Sequence, residues 1–420
     1  MLGGVAAGQR RGRWTPLVSA LAFCLMAWSS GPTLLDRFAE AMGTLGRAAG
    51  RRRLGRSYNG LLGALIRQWG GASGPLRAEL RRRAMEMMGA AHQAGEWLVL
   101  AVDGTKVALP RTGDNLGRFG VADNGVGPQA FVTAIVHALT GLVWSWRIGP
   151  ARSSERAHLA DMVADLPRGA LLLMDGYYVG QELWTALIGH GVHFLMRAGG
   201  NLRLIQGLIP GRSRVDERAG IVYVWRNGHA ADEPPMRLRL ITVGSRGQRL
   251  YLLTTVLEST RLSRRLAGSL YRMRWGVELF YRSIKQTLDR AKLSSRAPLR
   301  VEVELNWTMV AAALLALLAT AALRSRGLDL SRWSFAGAWR VVRHAMRSGP
   351  RTGGARHRHS LDAHLARAVK DRYPRERPKA SRHNPRTCNT PALTKPPRVI
   401  TAPARLQQLA ASANPIQLLR

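Results

Sequence analysis

Two short apolar runs, each followed by an Asp-Gly pair, constrain the fold of this chain more than any other feature. Trp97–Val102 leads into Asp103-Gly104, and Ala170–Met174 leads into Asp175-Gly176. Short apolar runs without polar alternation are typical of strands that are buried on both faces, in sheets covered by helices. The sequence therefore predicts an α/β core in which each aspartate emerges where a strand ends at the rim of a sheet.

The segments around these runs alternate between strand and helix patterns. Phe131–Leu139 and Leu142–Ile148 are rich in β-branched and apolar residues and predict a hairpin that turns at Thr140-Gly141. Further elements are predicted at Glu155–Leu166 (helix), Gly180–His190 (helix) and Val192–Met196 (strand). This alternation indicates α/β architecture.

The pattern changes along the chain, and we expect five regions. Residues 1–95 predict a helical N-terminal region, and residues 96–198 the first part of an α/β core. Residues 199–258 predict an all-β insertion of three short strands with polar turns, Ile221–Trp225, Met236–Val243 and Arg249–Val256. Helices return over 259–347 as the second part of the core. Residues 348–420 hold 15 Arg and Lys against three acids, a composition that predicts a basic, mostly disordered tail.

The charge of the chain limits its partners. There are 63 Arg and Lys against 26 Asp and Glu, a net charge of +37 over 420 residues. Such an excess favours a polyanion, because each phosphate that is neutralised releases counterions. Composition alone leaves a ribosomal-type RNA binder or a membrane-surface protein open. Only Cys24 and Cys388 are present, which excludes a disulfide framework or zinc cluster and favours a reducing compartment.

Two apolar stretches bear on location. Leu17–Trp28 and Val310–Leu323 are shorter than the roughly 20 residues that span a bilayer. We expect the second to be a buried core helix, with no membrane partner. These lengths predict a soluble protein.

The segment from Tyr271 to Lys285 has the most informative spacing. At about 100° per residue, five polar residues fall on one stripe of a continuous helix. They are Tyr271, Arg274, Glu278, Arg282 and Lys285. The opposite side is apolar and predicts a core face. It comprises Met273, Val277, Phe280, Ile284 and Leu288. Taken alone, this pattern also fits an ordinary amphipathic helix with a solvated polar face.

The three carboxylates together point to metal chemistry. A lone aspartate at a strand end is usually a turn or cap residue. Asp103 and Asp175, with Glu278 on a basic helix, fit instead a site for two divalent cations, because such hard ions prefer oxygen ligands. Paired metals stabilise the attacking and leaving oxygens of a phosphoryl displacement. We therefore take these three residues as candidate catalytic residues and metal ligands.

The helix spacing resembles the signature of the insertion sequence 4 family of DDE transposases. That signature is Tyr, two residues, Arg, three residues, Glu, six residues, Lys, and the matching residues are Tyr271, Arg274, Glu278 and Lys285. Asp103-Gly104-Thr105 followed by Leu109-Pro110 resembles the family's first aspartate segment. Leu172–Tyr177 resembles the second, although the family often has another residue between Asp and Gly. A Lys at one fixed position is specific here, because only six residues are Lys.

The resemblance implies a ribonuclease-H-like catalytic core, with residues 96–198 as its first part and 259–347 as its second, that the β-rich insertion interrupts. It also implies that residues 1–95 are a DNA-binding region and that the protein is cytoplasmic and associated with the nucleoid. It implies an enzyme that cuts DNA at the ends of a mobile element and joins those ends to target DNA. Asp103, Asp175 and Glu278 would hold Mg²⁺ or Mn²⁺, with two ions expected.

The resemblance also implies DNA contacts and partners. Tyr271, Arg274 and Lys285 would grip phosphates of the element end, and Arg282 on the same stripe is a further DNA-binding candidate. The expected partners are double-stranded DNA, both element ends and target, and a second copy of the chain in a homodimer on the DNA. Two alternatives stay open: a DNA-binding protein derived from a transposase that no longer cuts, and a DDE-type nuclease without strand transfer.

Overall fold

The computed structural model describes residues 13–49, 54–89, 93–122, 125–208, 219–225, 235–244, 249–348, 354–370 and 395–412. Its helices are α1 (Pro16–Trp28), α2 (Leu34–Ala49), α3 (Tyr58–Met88), α4 (Gly113–Phe119), α5 (Glu155–Ala160), α6 (Gln181–Gly189), α7 (Arg264–Arg272), α8 (Trp275–Arg282), α9 (Pro298–Arg324), α10 (Phe335–Ser348), α11 (Gly354–Arg367) and α12 (Ala404–Ser412). Its strands are β1 (Val99–Ala108), β2 (Gln129–His137), β3 (Val143–Pro150), β4 (Leu171–Met174), β5 (His193–Arg197), β6 (Arg203–Gln206), β7 (Ala219–Val224), β8 (Met236–Val243), β9 (Leu250–Thr254) and β10 (Arg398–Thr401).

The structure combines many helices with sheet strands, which confirms the predicted mixed α/β class. These elements form two compact units. The helical unit comprises residues 1–93, 103–154 and 275–371, and the sheet unit comprises residues 94–102, 155–274 and 372–420. Strand β1 is divided between them after Val102.

Helix α9 forms the core of the helical unit. Pro298 is its first residue, where the missing N–H of proline costs no helical hydrogen bond. By length and composition α9 could cross a membrane, but 83% of its most apolar window is buried inside the structure. Trp28 and Trp146 donate their indole N–H to Ala311 O (3.1 Å) and Asn306 Oδ1 (2.9 Å). The prediction of a buried core helix at 310–323 is confirmed.

The predicted hairpin is also present in the helical unit. Strands β2 and β3 pair antiparallel, from Ala130 opposite Pro150 to Val136 opposite Val143. Gly141 has φ +69° in the turn that connects them, a conformation that glycine adopts without strain. The hairpin lies next to β1 in the strand order.

In the sheet unit the strand order is β10-β6-β7-β8-β9-β5-β4-β1. Strands β1, β4 and β5 run parallel, with Val99 level with Leu171 and Leu171 level with His193. All four residues of β4 are buried. The short apolar runs thus form the buried parallel strands that their composition predicted.

The predicted β insertion extends this sheet instead of forming a separate one. Its three predicted strands are present as β7, β8 and β9, whereas β6 was not predicted. Strand β9 pairs antiparallel with both β8 and β5. This pairing covers the edge of β5, whose backbone groups would otherwise be exposed.

The predicted disordered tail contains regular structure, and the prediction is wrong for those residues. Helix α11 lies in the helical unit, and in the sheet unit β10 pairs parallel with β6 before α12. Ala402 and Ala410 pack with Tyr223 and Trp225 in a buried cluster. Average composition hides this, because many of the apolar residues of the region are clustered at 361–369 and 399–410. Residues 349–353, 371–394 and 413–420 of the predicted tail lie outside the described residues.

Candidate active site

Asp103 lies inside β1, five residues before its end, and the prediction of a strand-end position is corrected. The four residues before it are buried, and Asp103, Gly104 and Thr105 are half-buried. The strand continues because Thr105 and Val107 are β-branched residues, which pack well in a sheet. Side chains alternate along a strand, so Asp103 and Thr105 lie on the same face. The Oδ1 of Asp103 accepts a hydrogen bond from Gly104 N at 3.0 Å.

Helix α8 fixes the backbone at Asp103. The buried Tyr281 hydroxyl lies 2.8 Å from the carbonyl oxygen of Asp103 and 3.1 Å from that of Val132 on β2. Glu278 lies one turn before Tyr281, in the first turn of α8, and is half-buried. A carboxylate at a helix N-terminus is favoured by the helix dipole.

Lys285 is anchored on the face of β1 that carries Asp103. Its Nζ donates a hydrogen bond to Thr105 Oγ1 at 2.7 Å. Burial lowers the pKa of Lys285. The ammonium has three N–H donors, so this bond leaves donor capacity for a phosphate.

The helix predicted to run continuously from Tyr271 to Lys285 is interrupted. The prediction that five polar residues lie on one stripe of this helix is therefore wrong. Helix α7 ends at Arg272, and the N–H groups of Met273 and Arg274 bond three residues back. Helix α8 then runs to Arg282, and a π-helical turn covers Ser283–Thr287. An angle of 100° per residue holds only where i to i−4 bonding is unbroken, and sequence spacing does not reveal such interruptions.

The predicted core face survives this interruption. Four of its five residues, Val277, Phe280, Ile284 and Leu288, are buried, and Met273 is half-buried. Arg282 is exposed at the end of α8. Apolar burial was therefore predicted correctly within α8 and the turn that follows it.

In the sheet unit, Asp175 follows β4 directly, as predicted. It caps a 3₁₀ turn, its Oδ1 accepting a hydrogen bond from Tyr177 N at 2.8 Å. Met174 is level with Met196 in the parallel pairing of β4 and β5. Arg197, the next residue on β5, is therefore level with Asp175, on a strand about 4.8 Å away.

Tyr271 and Arg274, at and just after the end of α7, complete a cluster around Asp175. Burial, which is the largest cause, raises the pKa of Tyr271 to about 12. The positive charges of Arg274 and Arg197 lower this pKa, and the Asp175 carboxylate raises it. The sheet unit therefore brings together Asp175, Arg197, Tyr271 and Arg274.

Three residues of these arrangements were missed at the level of sequence: Thr105, Arg197 and Tyr281. Thr105 shares a strand face with Asp103, and Tyr281 lies one helical turn after Glu278, so each had a local signal. Arg197 directly follows a predicted strand, but its place beside Asp175 depends on the register of β4 and β5. In the part of the chain that the structure describes, no group of three or more His, Cys, Asp or Glu side chains is arranged to hold a metal ion.

Comparison with known proteins decides the family. Residues 96–315, slightly more than half of the chain, match the family described as Transposase DDE domain. The chain belongs to the DDE transposases. It is 29% identical over 223 residues to Transposase InsG for insertion sequence element IS4 of Escherichia coli (strain K12). The predicted resemblance to the insertion sequence 4 family is confirmed.

Each of the matches to individual proteins aligns only part of this chain with part of the other. The match to InsG covers 51% of this transposase and 50% of that protein, so the chain spans about half the length of its curated relative. The piggyBac transposase synaptic complex with hairpin DNA aligns over 89% of this chain and 82% of its own, at 11% identity and a TM-score of 0.41. The Mos1 transposase paired-end complex aligns over 44% and 60%, at 12% identity and a TM-score of 0.18. TM-scores this low do not establish a shared fold.

Proposed function

We propose that this DDE transposase cuts double-stranded DNA at the ends of a mobile element and joins those ends to target DNA. The proposal rests on which residues the family match includes. Residues 96–315 include Asp103, Asp175 and Glu278, together with the full Tyr-Arg-Glu-Lys spacing. A ribonuclease-H-like core is part of the proposal. It is supported by the strand order β1-β2-β3 in the helical unit and β1-β4-β5 in the sheet unit.

Two Mg²⁺ or Mn²⁺ ions are the proposed cofactors, with Asp103, Asp175 and Glu278 as their ligands. The donor chemistry fits, since carboxylate oxygens are the ligands that these hard ions prefer. One oxygen of each aspartate is hydrogen-bonded to a backbone N–H, which orients the carboxylate in advance. Such ions, when bound, stabilise the attacking and leaving oxygens of an in-line displacement.

The basic side chains hold the DNA in this proposal. Arg274 and Arg197 lie in one cluster with Asp175 and Tyr271 and would bind phosphates near the cut. Lys285 would reach a phosphate while it remains bonded to Thr105, and Arg282 would contact DNA from the end of α8. A second copy of the chain would join on the DNA, and the location that follows from this partner is cytoplasmic and nucleoid-associated.

The test separates cutting from joining. The full chain is incubated with Mg²⁺, a labelled duplex carrying the element end and a supercoiled target, and both products are quantified. Glu278→Gln and Asp175→Asn are expected to abolish both products and to leave end binding intact. Glu302→Gln is the control, because this carboxylate pairs with Arg118 and lies outside the proposed ligands.

Each alternative has its own result. Cleavage without joined products would identify a nuclease, and DNA binding without either product would identify a transposase-derived binding protein. Full activity in excess chelator, or in the Glu278→Gln variant, would contradict the proposed metal chemistry.

A further inference from the structure

The helical unit has a basic groove that the proposed catalytic residues do not use. Its volume is about 750 Å³, and it is formed by residues 108–111, 126–129, 292–294 and 296. Three exposed cations, Arg111, Lys292 and Arg296, line it. No Asp or Glu occurs among its described lining residues. We call this surface the basic groove.

The walls of the basic groove are fixed by backbone hydrogen bonds. Ala108 N donates to Ala291 O at 3.2 Å, and Leu293 N donates to Ala108 O at 2.9 Å. Leu109 N donates to Pro128 O at 3.0 Å. Lys292 is thereby bridged to the end of β1. The groove is thus preformed, which lowers the entropic cost of binding a ligand.

A glycine makes room for one of the three cations. A Cβ added at Gly127 would lie 3.1 Å from Arg111 Nε and 3.3 Å from Arg111 Cγ. The Arg111 side chain therefore lies directly against the backbone of the opposite wall. A methyl group at position 127 would require it to move by a few tenths of an ångström.

The basic groove continues the two segments that carry residues of the proposed site. Strand β1 runs from Asp103 to Ala108, and the chain after the Lys285 turn reaches Lys292 within seven residues. At roughly 3.3 Å per residue, Ala108 lies about 17 Å beyond Asp103. That length corresponds to about five nucleotides at roughly 3.4 Å of axial rise per nucleotide.

We propose that the basic groove binds the sugar–phosphate backbone of duplex DNA several nucleotides from the phosphate that is cut. This rests on the proposed function, which places a scissile phosphate at Asp103. Three cations without a lining carboxylate suit consecutive phosphates, and contacts to phosphates position a duplex without reading its sequence. The exposed Val126 at the groove would contact deoxyribose.

The test is a salt titration of DNA binding by the full chain, without divalent metal. Arg111→Gln/Lys292→Gln is compared with Arg56→Gln/Arg340→Gln, which removes the same charge from exposed positions elsewhere in the helical unit. Each protein is titrated with an element-end duplex and with an unrelated duplex of equal length. The groove variant should bind at least one of them about tenfold more weakly. Its slope of log affinity against log salt should fall by about two, at roughly 0.9 per phosphate contact.

Two further variants guard against misfolding. Arg111→Lys/Lys292→Arg keeps the charges and should restore the wild-type slope. Gly127→Ala keeps every charge and requires Arg111 to move by only a few tenths of an ångström, so its slope should stay at the wild-type value. Loss on the element-end duplex alone would assign the groove to the end complex, and loss on the unrelated duplex alone would assign it to target DNA.

Several results would overturn the assignment. An unchanged slope and affinity on both duplexes would do so, as would an equal loss in the Arg56→Gln/Arg340→Gln control. If the groove variant binds DNA normally but binds poly-glutamate more weakly, the groove takes an acidic protein segment instead. A wild-type chain that binds neither duplex contradicts the proposed function itself, a result distinct from failure of the groove variant alone.

Discussion

Replacing Tyr281 with Phe removes one oxygen atom and leaves the packing of the ring unchanged. That oxygen lies 2.8 Å from the Asp103 carbonyl and 3.1 Å from the Val132 carbonyl. A hydrogen bond of this kind contributes about 0.5–1.5 kcal/mol, and a buried acceptor left without its donor adds a cost. We expect the variant to lose about 1–2 kcal/mol of folding free energy. For a region of 150–250 residues this lowers Tm by about 2–8 °C.

The effect on the reaction should exceed the effect on folding. The hydroxyl holds the backbone that carries a proposed metal ligand, so its loss lets the Asp103 carboxylate drift from its bonded position. A displacement of reacting groups by about 1 Å can lower a reaction rate about 100-fold. We expect the rate of single-turnover cleavage to fall about tenfold in this variant. Affinity for the element end should stay within about twofold, because Tyr281 is buried.

The assay is single-turnover cleavage of a labelled element end, with thermal unfolding measured on the same preparations. Tyr58→Phe is the matched control, since it removes a hydroxyl from α3 in the same unit, away from β1. Wild-type cleavage and an unchanged Tm in Tyr281→Phe would refute the reasoning. An equal loss of cleavage in Tyr58→Phe would show that the effect is general destabilisation.

Three more predictions follow from other parts of the structure. Arg197→Gln should weaken binding of element ends by about tenfold, with little change in Tm; a charge-assisted phosphate contact contributes about 1.5–3 kcal/mol, and unchanged end binding would exclude the contact. Burial raises the pKa of the Cys24 thiol to about 12 from its ordinary value of 9.0, so its contribution to stability is present below about pH 9 and is lost as the pH rises toward 12. In a Cys388→Ser background, a thiol reagent should label Cys24 only after unfolding, and fast labelling of the native protein would contradict its burial. Deleting residues 395–420 should speed hydrogen exchange in β6 by removing its partner β10, whereas unchanged exchange would show that β10 does not stabilise that edge.

Local patterns in the sequence were sufficient for much of this protein. The apolar runs predicted β1, β4 and β5, and the Thr140-Gly141 pair predicted the hairpin turn. Burial of a strand on both faces and the period of a helix are properties of consecutive residues, so these elements can be inferred without the fold. The Tyr-Arg-Glu-Lys spacing is likewise a property of a short segment, and it was sufficient to indicate the family.

Other features depend on contacts between distant parts of the chain. Tyr281 meets the Asp103 carbonyl across 178 positions, and Lys285 meets Thr105 across 180. Arg197 lies level with Asp175 only because β4 and β5 pair in one register, and a shift of one residue would turn its side chain to the other face. The tail shows the same dependence. Residues 398–412 pair with the edge of β6 and pack against the apolar surface around Trp225, and neither partner can be identified from the local sequence.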